Sequence, residues 1–476
     1  MIQTKKFQKH RSEQYSLDRG VLSQNNPIAI STIPLGVRNC LFDTVLLIVF
    51  LIGSIIAKSR FSNFIGGWNG SMVFTVVMLI AIAFRGCLRT KDRYPIFAPP
   101  RCLTICFITF FIWGIISCLW QSNIYANLAF FIVFSLNIYV CFYVAPNLIV
   151  PSLGENALLV YALPLIMTNV LNIVFPSSFM THESDIGRLS GVLDNSTHVG
   201  AVAALTSIVA LWMVINWPKR RILYLISWLV SITVLILSRT RSSIFGCFLG
   251  SIYLLIQWSK SKSKPHLAIL IISIIFLSVS AGTIVMVRPE LTFKLKDFFR
   301  INGNTETILE SRMPLWRNGI TNISQNLLFG KGPMEKFGGT EDPTVNSYDE
   351  KKICSNLFLF YAQTYGIVGA AMVALLLIVI MKSTLKISND FKSLGFAVTL
   401  LIIGASLSQM LAVSFGSPGD RALWLILGTS LATCNYPNMA SRNNFPLYSS
   451  VLENIFQTRL ESDASVPSNF AKHKYY

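Results

Sequence analysis

Residues 356–381 read NLFLFYAQTYGIVGAAMVALLLIVIM, a run without a single charge. At 1.5 Å per residue such a helix spans the hydrocarbon core of a bilayer, about 30 Å thick. Phe42–Ala57, Ile222–Ser238 and Leu267–Val287 repeat the pattern with few or no charges. Backbone amides find no water in hydrocarbon, so these segments must be helices unless they alternate like barrel strands, and they do not alternate. Composition agrees. The 476 residues are 53% apolar and 13% charged, whereas soluble domains carry about a quarter charged residues. The expected fold class is an all-α polytopic membrane protein.

Outward from that segment, hydropathy predicts about twelve spans, centred near Phe50, Leu79, Phe110, Ser135, Leu165, Leu205, Val230, Leu249, Ile275, Ala370, Ile402 and Leu427. The expected organisation is a cytoplasmic N-terminal tail over 1–37 and a transmembrane domain over 38–435, with a cytoplasmic C-terminal tail over 436–476. Within the domain, 288–353 forms a long extracytoplasmic loop between the ninth and tenth spans. A connection of that length is usually functional. In it, Leu315, Trp316, Ile320, Ile323 and Leu327 fall near helical spacing, which predicts a short helix along the membrane surface, roofing a cavity.

The net charge of +18 does not point to nucleic acid, because the basic residues sit in short loops rather than in a binding module. Arg85, Arg89, Lys91, Arg93 and Arg101, then Lys219, Arg220 and Arg221, then Lys260, Lys262 and Lys264, then Lys382, Lys386 and Lys392 follow the positive-inside pattern with both termini cytoplasmic. The nine cysteines are scattered, without a CxxC pair or a zinc-like histidine spacing, so neither a metal nor a required disulfide is expected. No internal repeat and no matched pair of Gly- or Pro-broken helices marks an inverted-repeat transporter.

Counting spans places four polar clusters on one, outer side: Thr181–His198, Ser238–Ser243, the long loop and Ser414–Arg421. Loops meeting at one face of a helical protein can build one pocket. Its basic members are Arg188, Arg239, Arg241 and Arg312, and the guanidinium fork is the side chain best matched to phosphate oxygens. Arg239 and Arg241 lie between two apolar helices with almost no loop, where a charge is costly unless paired or hydrated. Blander roles compete: snorkelling to lipid phosphates for Arg239 and Arg241, pairing with Glu183, Asp185 or Asp194 for Arg188, and stacking on Trp316 for Arg312. Gly330-Lys331-Gly332 is either a plain tight turn or an anion-binding one. Proton acceptors on this side are His182, His198, Glu306, Glu310, Glu335, Glu341, Asp342, Asp349 and Glu350, and the sequence does not choose among them.

The order of these clusters resembles the O-antigen ligase and polymerase superfamily, bacterial envelope enzymes acting on polyprenyl-linked glycans. Arg188-Leu-Ser-Gly191 with Asn195, Thr240-Arg241-Ser242-Ser243, Arg312-Met-Pro-Leu-Trp316 with Asn326, Gly330 and Gly332, and Ser355-Asn356 followed by Gly366-Ile-Val-Gly369 carry the likeness. The ligase signature has His where this chain has Ser355, and a serine hydroxyl is no base near neutral pH without help. That departure turns the expectation from ligase towards polymerase.

The resemblance implies attack by a sugar hydroxyl on the anomeric carbon of a glycan joined to polyprenyl diphosphate, without metal or other cofactor. Arg188, Arg241 and Arg312 are the expected catalytic residues, stabilising the departing diphosphate. Arg239, Asn195, Trp316, Ser355 and Asn356 are expected to bind substrate, with helix capping an equal alternative for Ser355. It further implies the inner membrane of a bacterium, membrane lipid as partner, and chain-length regulators or flippases as candidate protein partners. The alternatives are ligase-type transfer to lipid A core, another lipid or a protein, and, from another class, a solute transporter or channel.

Overall fold

The computed structural model describes residues 35–57, 59, 67–89, 99–153, 156–175, 189–193, 195–262, 313–333, 356–385, 390–406 and 418–434. The expected span around Ile275, most of 288–353, residues 1–34 and the expected C-terminal tail lie outside them. The chain divides into two compact units, Met1–Phe42 and Asp43–Tyr476. Of the first unit only the opening turns of helix α1 are described, and all the other helices belong to the second.

Every regular element among the described residues is helical. In chain order these are α1 (Leu35–Ala57), α2 (Gly67–Arg89), α3 (Arg101–Leu119), α4 (Ile124–Tyr139), α5 (Ala145–Leu153), α6 (Ala157–Val174), α7 (Ser196–Asn216), α8 (Arg221–Leu237), α9 (Arg241–Lys262), α10 (Met313–Gln325), α11 (Leu357–Leu385), α12 (Asp390–Ser406) and α13 (Pro418–Cys434). A π-helical turn, Val140–Val144, joins α4 to α5 without a break, and Gly428 of α13 packs against its Cys141 carbonyl. Among the described residues, eight helices are long and apolar enough to cross a membrane. Val73–Leu88 and Ser393–Ser406 are shorter apolar helices. All the expected span centres that lie among the described residues fall within helices.

Burial sorts these helices into an inner and an outer set. Every residue of α7 from Val199 to Met213 is buried, and a helix apolar all round must be enclosed by other helices. By contrast α8 exposes Ile222, Leu223, Leu225, Ile226 and Leu229, and α3 exposes Ile105, Ile108 and Ile112. Continuous exposed aliphatic stripes of this kind suit lipid and not water.

Close packing between small residues fixes the directions of the inner helices, as is usual where lipid removes the hydrophobic drive for association. A Cβ on Gly246 of α9 would lie 2.6 Å from the Leu401 carbonyl oxygen, and one on Gly250 would lie 2.7 Å from that of Ala397. The Gly-x-x-x-Gly edge of α9 therefore runs antiparallel to α12. Gly395, near the start of α12, faces Thr384 near the end of α11 and Ser430 near the end of α13. Gly419, opening α13, faces Ala201 and Val202 near the start of α7. The N-termini of α7, α9, α11 and α13 and the C-termini of α8 and α12 consequently gather at one end. The basic turn Lys219–Arg221 lies at the other end of α7 and α8.

Candidate functional site

At the gathered end, the turn Ser238–Thr240 links α8 to α9 and is held by the segment that precedes α7. The Leu189 N–H donates to the Leu237 carbonyl (3.0 Å), and Thr240 Oγ1 donates to the Ser196 carbonyl (3.0 Å). Ser238 Oγ lies 3.1 Å from Thr240 Oγ1, and Ser238 and Thr240 are both buried. Asn195 caps α7 by accepting from the Thr197 N–H (2.8 Å).

Two features set this turn apart. Arg239 takes the left-handed backbone conformation, φ 52°, which costs a non-glycine residue about 1–3 kcal/mol and is typically kept where function requires it. Arg241 is the first residue of α9, and no acidic residue stands in that helix's first turn. A cation at a helix N-terminus opposes the dipole, by about 0.3–1 kcal/mol. Arg239 and Arg241, both half-buried, thus add their charge to the positive end of a helix. An anion there would offset that positive charge.

A second construction lies where α11 begins. Asn356 caps the helix, its Oδ1 accepting from the N–H groups of Phe358 (2.9 Å) and Leu359 (3.2 Å). The unbroken apolar run 356–381 predicts one continuous helix, but the structure interrupts it at Gly366 (φ 76°, ψ 177°). The break releases carbonyls that the segment after α10 then uses: Lys331 N–H donates to Gln363 O (2.8 Å) and Gly332 N–H to Thr364 O (3.1 Å). In return Ile367 N–H donates to Leu327 O (2.9 Å). Trp113 Nε1 donates to Tyr365 O (2.9 Å).

From the end of α3, Gln121 Nε2 reaches Thr364 O (2.8 Å) and Phe329 O (3.2 Å), and Ser117 Oγ donates to Phe329 O (2.5 Å). The Phe329 ring is stacked between Trp113 and Trp120, at centroid distances of 5.6 and 4.9 Å. Non-helical backbone at membrane depth survives only where its polar groups are satisfied by protein in this way. Gln121→Leu keeps the volume and removes the bridge, so it is expected to lower the melting temperature of the detergent-solubilised protein by the equivalent of about 1–3 kcal/mol.

The structure distributes the expected site residues unevenly. Arg239, Arg241 and Asn195 are brought together with the 189–193 turn. Trp316 and Asn356 belong to α10 and α11, which pack on each other. Arg188, Arg312 and Ser355 lie outside the described residues. Asn356 Oδ1 and Asn195 Oδ1 are engaged in capping. Trp316 is half-buried, and its Nε1 is a buried donor without an acceptor among the described residues. The Lys331 and Gly332 amides are consumed by Gln363 and Thr364, so Gly330-Lys331-Gly332 is a docking turn and not an anion cradle.

Of the expected proton acceptors only His198, in the first turn of α7, is described. Arg421, at the edge of the fourth polar cluster, is enclosed: Nη2 donates to Thr75 Oγ1 (2.5 Å), and the guanidinium stands 4.8 Å from the Phe50 ring centroid. Sequence reasoning passed over Asn172, Gln121 and Ser117. Their one signal was a polar side chain inside or at the end of an apolar helix.

Apolar helices with lipid-suited faces, and an arginine turn at one end of them, define a multi-pass membrane protein. Residues 225–374, about a third of the chain, are similar to the family profile described as O-antigen ligase. Among curated proteins, none matches the chain.

Proposed function

We propose that this protein is a membrane glycosyltransferase that polymerises polyprenyl-diphosphate-linked oligosaccharide repeat units into O-antigen or exopolysaccharide. The observation that carries the proposal is the pair Arg239 and Arg241 on a strained turn at the N-terminus of α9, inside the O-antigen ligase match. In the reaction, an acceptor sugar hydroxyl attacks the anomeric carbon of the donor glycan. The bond from that carbon to the diphosphate oxygen breaks, its electron pair stays on the diphosphate, and the acceptor oxygen passes its proton to a neighbouring base or to the departing diphosphate. Negative charge grows on the leaving group, so arginines that bind it more tightly as the bond lengthens accelerate the step. Arg241 takes this role together with Arg188 and Arg312, and Arg239, Asn195, Trp316, Ser355 and Asn356 contact the glycan or phosphate.

The gathered end faces away from the cytoplasm, where flipped lipid-linked units present their sugars. This puts residues 288–353 outside, the tails 1–37 and 436–476 inside, and the chain in a bacterial inner membrane with about twelve spans over 38–435. Ser355 at the ligase histidine position favours polymerase. The O-antigen ligase match favours the second reading, transfer of finished glycan to lipid A core, another lipid or a protein. It lends nothing to a solute transporter.

Deleting the gene separates the readings. Loss of a polymerase leaves single repeat units on the final acceptor, whereas loss of a ligase leaves long chains stranded on the polyprenyl carrier. An unaltered glycan profile after deletion sinks both.

A further inference from the structure

Helix α6 is apolar except for a few side chains at its far end, and two of these, Asn169 and Asn172, have no exposed surface at all. Burying an amide is costly unless its hydrogen bonds are replaced. Asn169 Nδ2 donates to Ser231 Oγ of α8 (3.1 Å) as helix-to-helix glue, while its Oδ1 has no partner among the described residues. Asn172 does something else. Its Oδ1 accepts from the Val192 N–H (2.8 Å), while its Nδ2 has no partner among the described residues. Gly191, with φ 52°, passes so close that a Cβ there would overlap the Asn172 amide.

The segment that Asn172 grips is the one that holds the arginine turn. Leu189 at its start bonds Leu237, and Ser196 just beyond it bonds Thr240. The middle, Gly191–Leu193, is a buried 3-10 turn whose Val192 N–H is bonded to Asn172 of α6. We infer that Asn172 is a positioning residue for Arg239 and Arg241: it fixes Gly191–Leu193 against α6, and Leu189 and Ser196 on either side hold the Ser238–Arg241 turn. The inference rests on the phosphate role proposed for these arginines. It explains why a side chain with an unmatched donor occupies a fully enclosed site, since the acceptor oxygen does the work.

The test is a double-mutant cycle, read as the initial rate of chain elongation in membranes supplied with lipid-linked repeat units extracted from cells lacking the protein. Asn172→Leu conserves volume and removes the acceptor. Gly191→Ala keeps the acceptor and displaces the turn, and it carries the test if the leucine variant does not accumulate. Each is expected to slow elongation on the order of 10- to 100-fold, as misplacement of a reacting group by about 1 Å does. Arg241→Lys is the second arm.

If Asn172 acts through the arginine turn, Asn172→Leu with Arg241→Lys runs within about twofold of the slower single variant. Losses that multiply overturn the inference, because a residue that merely holds helices together acts independently of Arg241. Wild-type rates in both Asn172→Leu and Gly191→Ala overturn it as well. Wild-type rates in Arg241→Lys and Arg241→Ala strike instead at the phosphate role of the turn, and the inference falls with it.

Discussion

Gly366→Ala is expected to abolish glycan assembly and to destabilise the protein by at least about 3 kcal/mol, the range of severe overpacking combined with backbone strain. The left-handed φ of 76° is open to glycine and costly for alanine. A Cβ at this position would overlap the Leu328 carbonyl oxygen, and backbone cannot swing aside as a flexible side chain can. Alanine also favours the continuous helix that the surrounding apolar sequence would otherwise form. A continuous α11 would reclaim the Gln363 and Thr364 carbonyls and release Lys331, Gly332 and Gln121 from them. The segment carrying Phe329 would then leave its place between Trp113 and Trp120, and α10 would lose the anchor beyond its C-terminus. The measurement is the melting midpoint of the detergent-solubilised protein alongside glycan length in cells. A variant that melts and polymerises like the wild type would show that the break in α11 is incidental.

How far the sequence predicts these features depends on the kind of information each one needs. Hydropathy reports the solvent that a helix faces, so α1, α6, α7, α8 and α11 are visible as spans from their composition alone. It does not report which helix encloses which: α7 and α8 are both apolar, yet one is buried all round and the other lines its lipid side with Ile222 and Ile226. That difference arises from tertiary packing, and only the small residues of α7 hinted at it. The arginine turn is legible as a junction, because two charges with almost no loop mark where one apolar helix ends and the next begins, whereas its role is not, because snorkelling places the same charges equally well.

The interruption at Gly366 is not legible, because Gly-Ile-Val-Gly suits a continuous membrane helix as well as a broken one. What decides between them is the distant segment Leu327–Gly332, which fills the break. Gly330-Lys331-Gly332 leaves a plain turn and an anion-binding one open for a related reason: glycine marks an unusual backbone, but not whether its amides face a ligand or the carbonyls of another helix. Asn356 and Asn195 show the same limit, since an amide at a helix start can cap or bind, and the structure spends both acceptor oxygens on capping.

Arg241→Ala is expected to slow elongation by about 100- to 1000-fold, the loss typical when one preorganised donor to a developing anion is removed. Arg241→Lys is expected to recover only part of that loss. A single ammonium keeps the charge but cannot offer two parallel N–H groups to two phosphate oxygens. In cells the difference appears as polymer length, with alanine giving single units or very short chains and lysine a shortened ladder.

Stability supplies the control that separates a binding role from a scaffolding one. Arg241 stands at the positive end of α9 with no acidic residue in the first turn, so its removal relieves about 0.3–1 kcal/mol of unfavourable dipole interaction. The melting temperature of Arg241→Ala is therefore expected to change far less than its activity, as happens where a charge is placed for function rather than for folding. A parallel fall in melting temperature and activity would make Arg241 a structural residue. Wild-type ladders from both variants would remove it from the chemistry altogether. An arginine that merely snorkels to lipid phosphates tolerates lysine, so the lysine variant decides between lipid contact and a bidentate grip on the leaving diphosphate.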